Sequence, residues 1–130
     1  MKNAHLILFF VTVFLLSCSD SKDGIWEDNI ELSQKEVQFG ASQDSVIVTT
    51  KKDGWWIVEV SLNGATDFEQ MENSNGEFLM DENKFTIERR SPKKLYIEMS
   101  PNSTNSERKL IISLQNGNYF DGITIKQAAK

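Results

Sequence analysis

From Glu36 to Gln127 the chain consists of short stretches in which apolar and polar residues alternate one for one, and nowhere does an apolar stripe run at helical spacing. Successive strand side chains point to opposite faces of a sheet, so this alternation fits strands with one face on a core. A surface helix would need apolar residues three and four apart. The pattern predicts an all-β domain, with strands near residues 30–32 and 36–39, 44–50, 55–62, 84–89, 95–99, 109–114 and 122–127. Its phase places Val46, Val48, Trp56, Val58, Val60, Leu95, Ile97, Leu110, Ile112, Leu114, Ile123 and Ile125 inward. Asp53-Gly54, Asn63-Gly64, Asn75-Gly76 and Asn116-Gly117 supply residues that tolerate positive φ between the strands. About seven short strands over about 100 residues predict two packed antiparallel sheets.

The N-terminus is of another kind. Lys2 precedes an apolar run, Leu6 to Leu16, interrupted only by Thr12 and closing on Leu15-Leu16-Ser17-Cys18. This is the layout of a secretory signal peptide. About eleven residues at about 1.5 Å of rise each cover barely half of the hydrocarbon thickness, where a spanning helix needs about 20, so the segment reads as cleaved. The four residues ending at Cys18 resemble the lipobox of bacterial lipoproteins, in which the thiol becomes a diacylglyceryl thioether before cleavage in front of it. The alternative is a plain signal peptide with an incidental cysteine. The resemblance implies that residues 1–17 are removed and that lipid on Cys18 holds the chain to a membrane, two acyl chains sufficing for stable anchoring. Residues 18–29 begin Ser19-Asp20-Ser21-Lys22-Asp23-Gly24, which is too polar to order itself, and read as a tether. After a lipidated cysteine they resemble the acidic, serine-rich export signal of Bacteroidetes-type lipoproteins that reach the outer face of the outer membrane. A linker facing the periplasm is the alternative.

Cys18 is the only cysteine and His5, in the leader, the only histidine. A mature chain would then have no disulfide, no imidazole and no thiol. Serine-histidine-acid triads, cysteine-histidine pairs and zinc sites built on imidazole or thiolate are excluded with them, and no cofactor is expected. Lys2 is the only one of the 14 basic residues to leave with the leader, against none of the 19 acidic ones, which moves the formal charge from −5 to about −6. An acidic domain with no basic stripe is a poor partner for nucleic acid. The remaining residues, 30–130, suffice for one domain with one core.

Ser33 to Phe39, Trp56-Ile57-Val58, Asn102 through Arg108 and the closing Ile123-Thr124-Ile125-Lys126-Gln127 resemble a BACON domain over residues 30–128. The resemblance implies an immunoglobulin-like β-sandwich, common in Bacteroidetes surface and periplasmic proteins, with a proposed carbohydrate-binding role. An asparagine six residues before an arginine, two alternating strands and a terminal glutamine form its most specific part. The family often has a second tryptophan in the middle; here Phe85 stands nearest, after an insertion over residues 64–83.

Within this frame Asn102, Arg108 and Gln127 are expected to hold structure. If Trp56 is in the core, Trp55 points outward, and a sugar ring's C–H face stacks on an aromatic plane. Trp55 is therefore the first candidate for glycan contact, with Tyr96 and Tyr119. The alternative is that the insertion folds over Trp55 and buries it, and that Tyr119 and Phe120, at a hairpin tip, plug the end of the sandwich. The insertion is acidic, but an EF-hand register through Asn73, Asn75, Gly76 and Glu82 would start on Met71, which has no oxygen ligand, so no metal is expected. Asp44-Ser45-Val46 matches the short O-glycosylation acceptor of Bacteroidetes exported proteins, with Ser45 modified.

Three function classes remain. The first is a non-catalytic, lipid-anchored interaction module for a glycan or an envelope protein; the second is a passive structural immunoglobulin-like domain. A glycosidase comes last, since it needs two carboxylates flanking a cleft and a domain this small has little room for one.

Overall fold

The structure is a computed structural model; it describes the backbone of residues 27–69 and 76–130 and the side chains of 27–66 and 76–130. Cys18 and the tether up to Trp26 lie outside these residues, as do Met71, Asn73 and Asn75. The described residues form nine strands and no helix: β1 (Glu36–Phe39), β2 (Asp44–Thr49), β3 (Trp56–Leu62), β4 (Ala65–Glu69), β5 (Phe78–Asp81), β6 (Phe85–Ser91), β7 (Lys94–Met99), β8 (Arg108–Asn116) and β9 (Tyr119–Gln127). One sheet has the order β1-β9-β8-β3-β4 and the other β2-β7-β6-β5. The all-β sandwich is as the alternation predicts. Setting β2-β7-β6 against β9-β8-β3 reproduces the BED and GFC layers of immunoglobulin sandwiches.

The structure differs from the expected seven antiparallel strands at three places. The insertion contributes two strands: β4 extends the first sheet beside β3, and β5 extends the second beside β6. Residues 30–32 form no strand, only the bridge Leu32 to Thr50, although Ile30 is fully buried. β1 runs parallel to β9, from Glu36 opposite Thr124 to Phe39 opposite Gln127.

Turn chemistry explains two connections. Asn63 (φ 54°) and Gly64 (φ 80°) are both left-handed between paired Leu62 and Ala65, the type I′ geometry suited to the twist of a hairpin. At the β8–β9 hairpin Asn116 pairs with Tyr119, so the loop is Gly117-Asn118, with Gly117 at φ 60°, and not Asn116-Gly117 as the sequence pattern suggested. Asn116 instead donates from Nδ2 to the carbonyls of Asn29 (2.9 Å) and Asp53 (3.1 Å), tying three loops together at this end.

The inner faces meet over Val48, Leu95, Ile97, Leu110, Ile112, Leu114, Ile123 and Ile125, all buried as the period-two phase required. Val46 is half-buried against the same core. At the other end of the sandwich a buried polar cluster joins the apolar packing of Phe39, Phe85 and Met99. Asn102 donates to the carbonyls of Ser106 (2.8 Å) and Ala128 (2.9 Å) and accepts from Thr104. Gln127 donates to the Ser100 carbonyl at 2.8 Å, which Arg108 also reaches. Buried polar groups are tolerated when paired in this way. The open edge of β2 is blunted too: the Asp44 carboxylate takes the Ser45 N–H, and Ser33 exchanges two hydrogen bonds with the Thr49 backbone. Such devices keep an edge strand from pairing with another chain.

Candidate functional site

The expected phase of β3 fails at its start. Trp55, Ile57, Val60 and Leu62 are buried, while Trp56 and Val58 are half-buried. The reason is a bulge: opposite β8, Ile57 pairs with Leu114 and Glu59 with Ser113, so Val58 has no partner of its own. An extra residue reverses the alternation. From Val60 onward the predicted inward set holds; before the bulge it is inverted.

Trp55 is therefore not the surface aromatic that the sequence suggested. It is fully buried, its Nε1 donates to Thr50 Oγ1 at 3.0 Å, and the Arg89 guanidinium lies 3.5 Å from the ring centre. Arg89, itself 1 % exposed, donates from Nη1 to the Trp55 carbonyl (2.7 Å) and from Nη2 to the Pro92 carbonyl (2.8 Å). Burial pushes its pKa down to about 10, which leaves it charged at neutral pH. A cation stacked on a buried tryptophan at the entry to β3 ties that strand to β6 of the opposite sheet.

The inversion puts Trp56 on the outer face of the five-stranded sheet. There it pairs with Gln115, which pairs in turn with Phe120, so the three form one row across β3, β8 and β9. Phe120 is 63 % exposed. The Gln115 amide donates to the Gly117 carbonyl at 2.8 Å, which turns it toward the hairpin. The adjoining row carries Glu59, Ser113 and Gly122, and the small side chains of the last two leave the flank of the aromatic row low. At Gly122 an added Cβ would stand 3.2 Å from the Ile112 carbonyl oxygen, a tight contact with the neighbouring backbone.

Of the other sequence candidates, Tyr96 and Ser45 lie side by side on the four-stranded sheet, and Tyr119 lies apart from them. Tyr96 lies half-buried on the outer face of the four-stranded sheet, its hydroxyl donating to Glu98 at 2.6 Å, a bond that raises its pKa. One face of its ring is covered by Arg90 at 3.9 Å, held in turn by Glu88 at 2.7 Å. Tyr119 packs half-buried against the core and plugs the end of the sandwich, with its hydroxyl 3.3 Å from Asp121. Ser45 is exposed on β2, opposite Glu98. Trp56 and Phe120 are the residues that sequence reasoning missed as a pair. The available signal was the Trp55-Trp56 doublet, since neighbours on a strand cannot both face the core.

An open depression of about 420 Å³ is lined by Asp28, Glu31, Leu32, Ser33 and Thr49 to Lys51. Its carboxylates are tied down. Burial works against the Asp28 carboxylate, but the N–H groups of Glu31 and Ile30 and the charge of Lys35 outweigh it and hold the group below its ordinary range. Glu31 pairs with Lys51 at 2.9 Å. No group of three or more His, Cys, Asp or Glu among the described residues is placed to hold a metal ion.

What the fold defines is a class, a two-sheet β-sandwich with an aromatic row on one outer face. No family model matches the chain, so no BACON domain is identified, and no curated protein matches it. Among solved structures, the NMR structure of a protein from Bacteroides thetaiotaomicron is similar, with a TM-score of 0.64 and 23 % identity over 84 % of this chain and 93 % of that one. The likeness establishes the shared sandwich fold.

Proposed function

We propose that the protein is a non-catalytic module of the cell envelope, lipid-anchored through Cys18 at the outer membrane, that binds a glycan on the outer face of its five-stranded sheet. The observation that carries this reading is the row Trp56, Gln115 and Phe120, two aromatics on one face with an amide between them. Aromatic planes offer apolar area to sugar C–H faces while amides bond hydroxyls. The BACON resemblance and the fold shared with a Bacteroides protein support the reading, as does the lipobox-like Leu15-Leu16-Ser17-Cys18. An open platform encloses little of a ligand, so a dissociation constant of tens of micromolar or weaker is expected, about −6 kcal/mol.

Affinity electrophoresis of the domain through plant, host and microbial polysaccharides checks the platform. Retardation by at least one glycan is expected, lost in Trp56→Ala and in Phe120→Ala while both remain folded at the temperature of the assay. No retardation by any glycan would overturn the reading. The anchor is checked separately by labelling cells with a fatty-acid analogue: the wild type takes up label, and Cys18→Ser neither does so nor partitions with membranes. A membrane-bound but unlabelled wild type would contradict the lipid assignment.

A protein-binding reading is favoured by a different observation. Ile47 (48 % exposed) and Leu79 (62 % exposed) flank Tyr96 and Glu88 in a row across all four strands of the second sheet. Retention of an envelope protein that Ile47→Lys abolishes, without any glycan retardation, would favour it.

A further inference from the structure

We infer that the platform is matched to a neutral, extended glycan whose rings are joined through equatorial bonds, as in β-1,4-linked chains, and that it engages three consecutive rings. The inference rests on the glycan reading above and narrows it to a class of ligand. Trp56 and Phe120 stand two strands apart, with β8 between them. Neighbouring strands are about 4.8 Å apart, which separates the two aromatic positions by roughly 10 Å. In an equatorially linked chain alternate rings lie along one line at about the length of a disaccharide unit, a comparable span. The first and third rings then cover Trp56 and Phe120, and the middle ring lies over Gln115. Axially linked chains coil, so their first and third rings do not stay on one line across the two aromatic positions.

Charge and twist narrow the ligand further. The row carries no ionic side chain, and the small residues Ser113 and Gly122 beside it leave room for the chain's edge. No cation of the row itself would select an acidic sugar. Sheet twist turns each strand by roughly 20 to 25° from the last, so the two aromatic positions differ by about 45°. A single dissolved chain follows such a turn by small torsional changes at each linkage; the flat face of a crystalline polysaccharide does not.

Calorimetric titration with cello-, xylo- and manno-oligosaccharides of two to six units, beside a malto-oligosaccharide ladder, tests the assignment. At least one β-1,4 ladder is expected to gain roughly tenfold in affinity between two and four units and then level off, with the gain absent in both Trp56→Ala and Phe120→Ala. The malto ladder should not bind. Equal binding of the α-linked ladder, or no gain beyond two units, overturns the ligand class. If α-linked or branched glycans bind and Trp56→Ala abolishes it, the glycan reading survives and this inference falls. If nothing binds in either ladder or in the polysaccharide screen, both fall together.

Discussion

Trp55→Ala is expected to cost about 3 to 5 kcal/mol of folding stability, the usual penalty for emptying a tryptophan site in a core, while Trp56→Ala stays within about 1 kcal/mol. The difference comes from position. Trp55 is fully buried and supports the Arg89 guanidinium 3.5 Å from its ring centre, and its N–H satisfies the buried Thr50 hydroxyl. Removing the ring opens a cavity and strips the cation of its stacking partner in one step. Trp56 is half-buried on an outer face, where water can replace the lost contacts. Against a typical domain stability of about 5 to 15 kcal/mol, the first change is severe and the second is tolerable. Urea melts of the two variants read the contrast directly. Equal midpoints, or a larger loss in Trp56→Ala, would show that the bulge at Val58 is misplaced and that the aromatic row does not exist.

Arg89→Ala is expected to be nearly as damaging, at about 3 kcal/mol or more. Two short hydrogen bonds from the guanidinium satisfy the Trp55 and Pro92 carbonyls and link the start of β3 to the β6–β7 hairpin. Leaving a buried acceptor unpaired costs about 1 to 3 kcal/mol, and bonds from a charged donor lie at the strong end of the scale. Arg89→Met separates the contributions. It keeps much of the apolar stem but none of the donors, so it should recover the packing part of the loss and leave the hydrogen-bonding part. Arg89→Lys restores charge without the planar fork and should fall between arginine and alanine. Thermal melts of the three variants should give the order Arg, Lys, Met, Ala. A fully stable Arg89→Ala would mean that the stacked cation contributes nothing to the junction of the two sheets.

Class and much of the core were legible from residue order alone, because period-two alternation is a local property. Each of Leu95, Ile97, Leu110, Ile112, Leu114, Ile123 and Ile125 sits in an uninterrupted stretch, so counting by twos assigns its face correctly. Asn63-Gly64 likewise announced its hairpin, since few other residue pairs accept two left-handed conformations in succession.

Three features depended on contacts distant in sequence. The bulge at Val58 exists only where β3 lies against β8, and one unpaired residue there reverses the faces of Trp55 and Trp56. Composition does not distinguish two adjacent tryptophans; the partner that settles which one is buried, Arg89, lies 34 residues further along the chain. The insertion's strands go to different sheets, because each edge, beside β3 and beside β6, still had backbone groups to satisfy. The sequence alone thus determined the alternation and the Asn63-Gly64 turn. Tertiary pairing decided the phase of β3, and with it the candidate site, because face assignment counts residues from the last irregularity and that irregularity is set by the neighbouring strand.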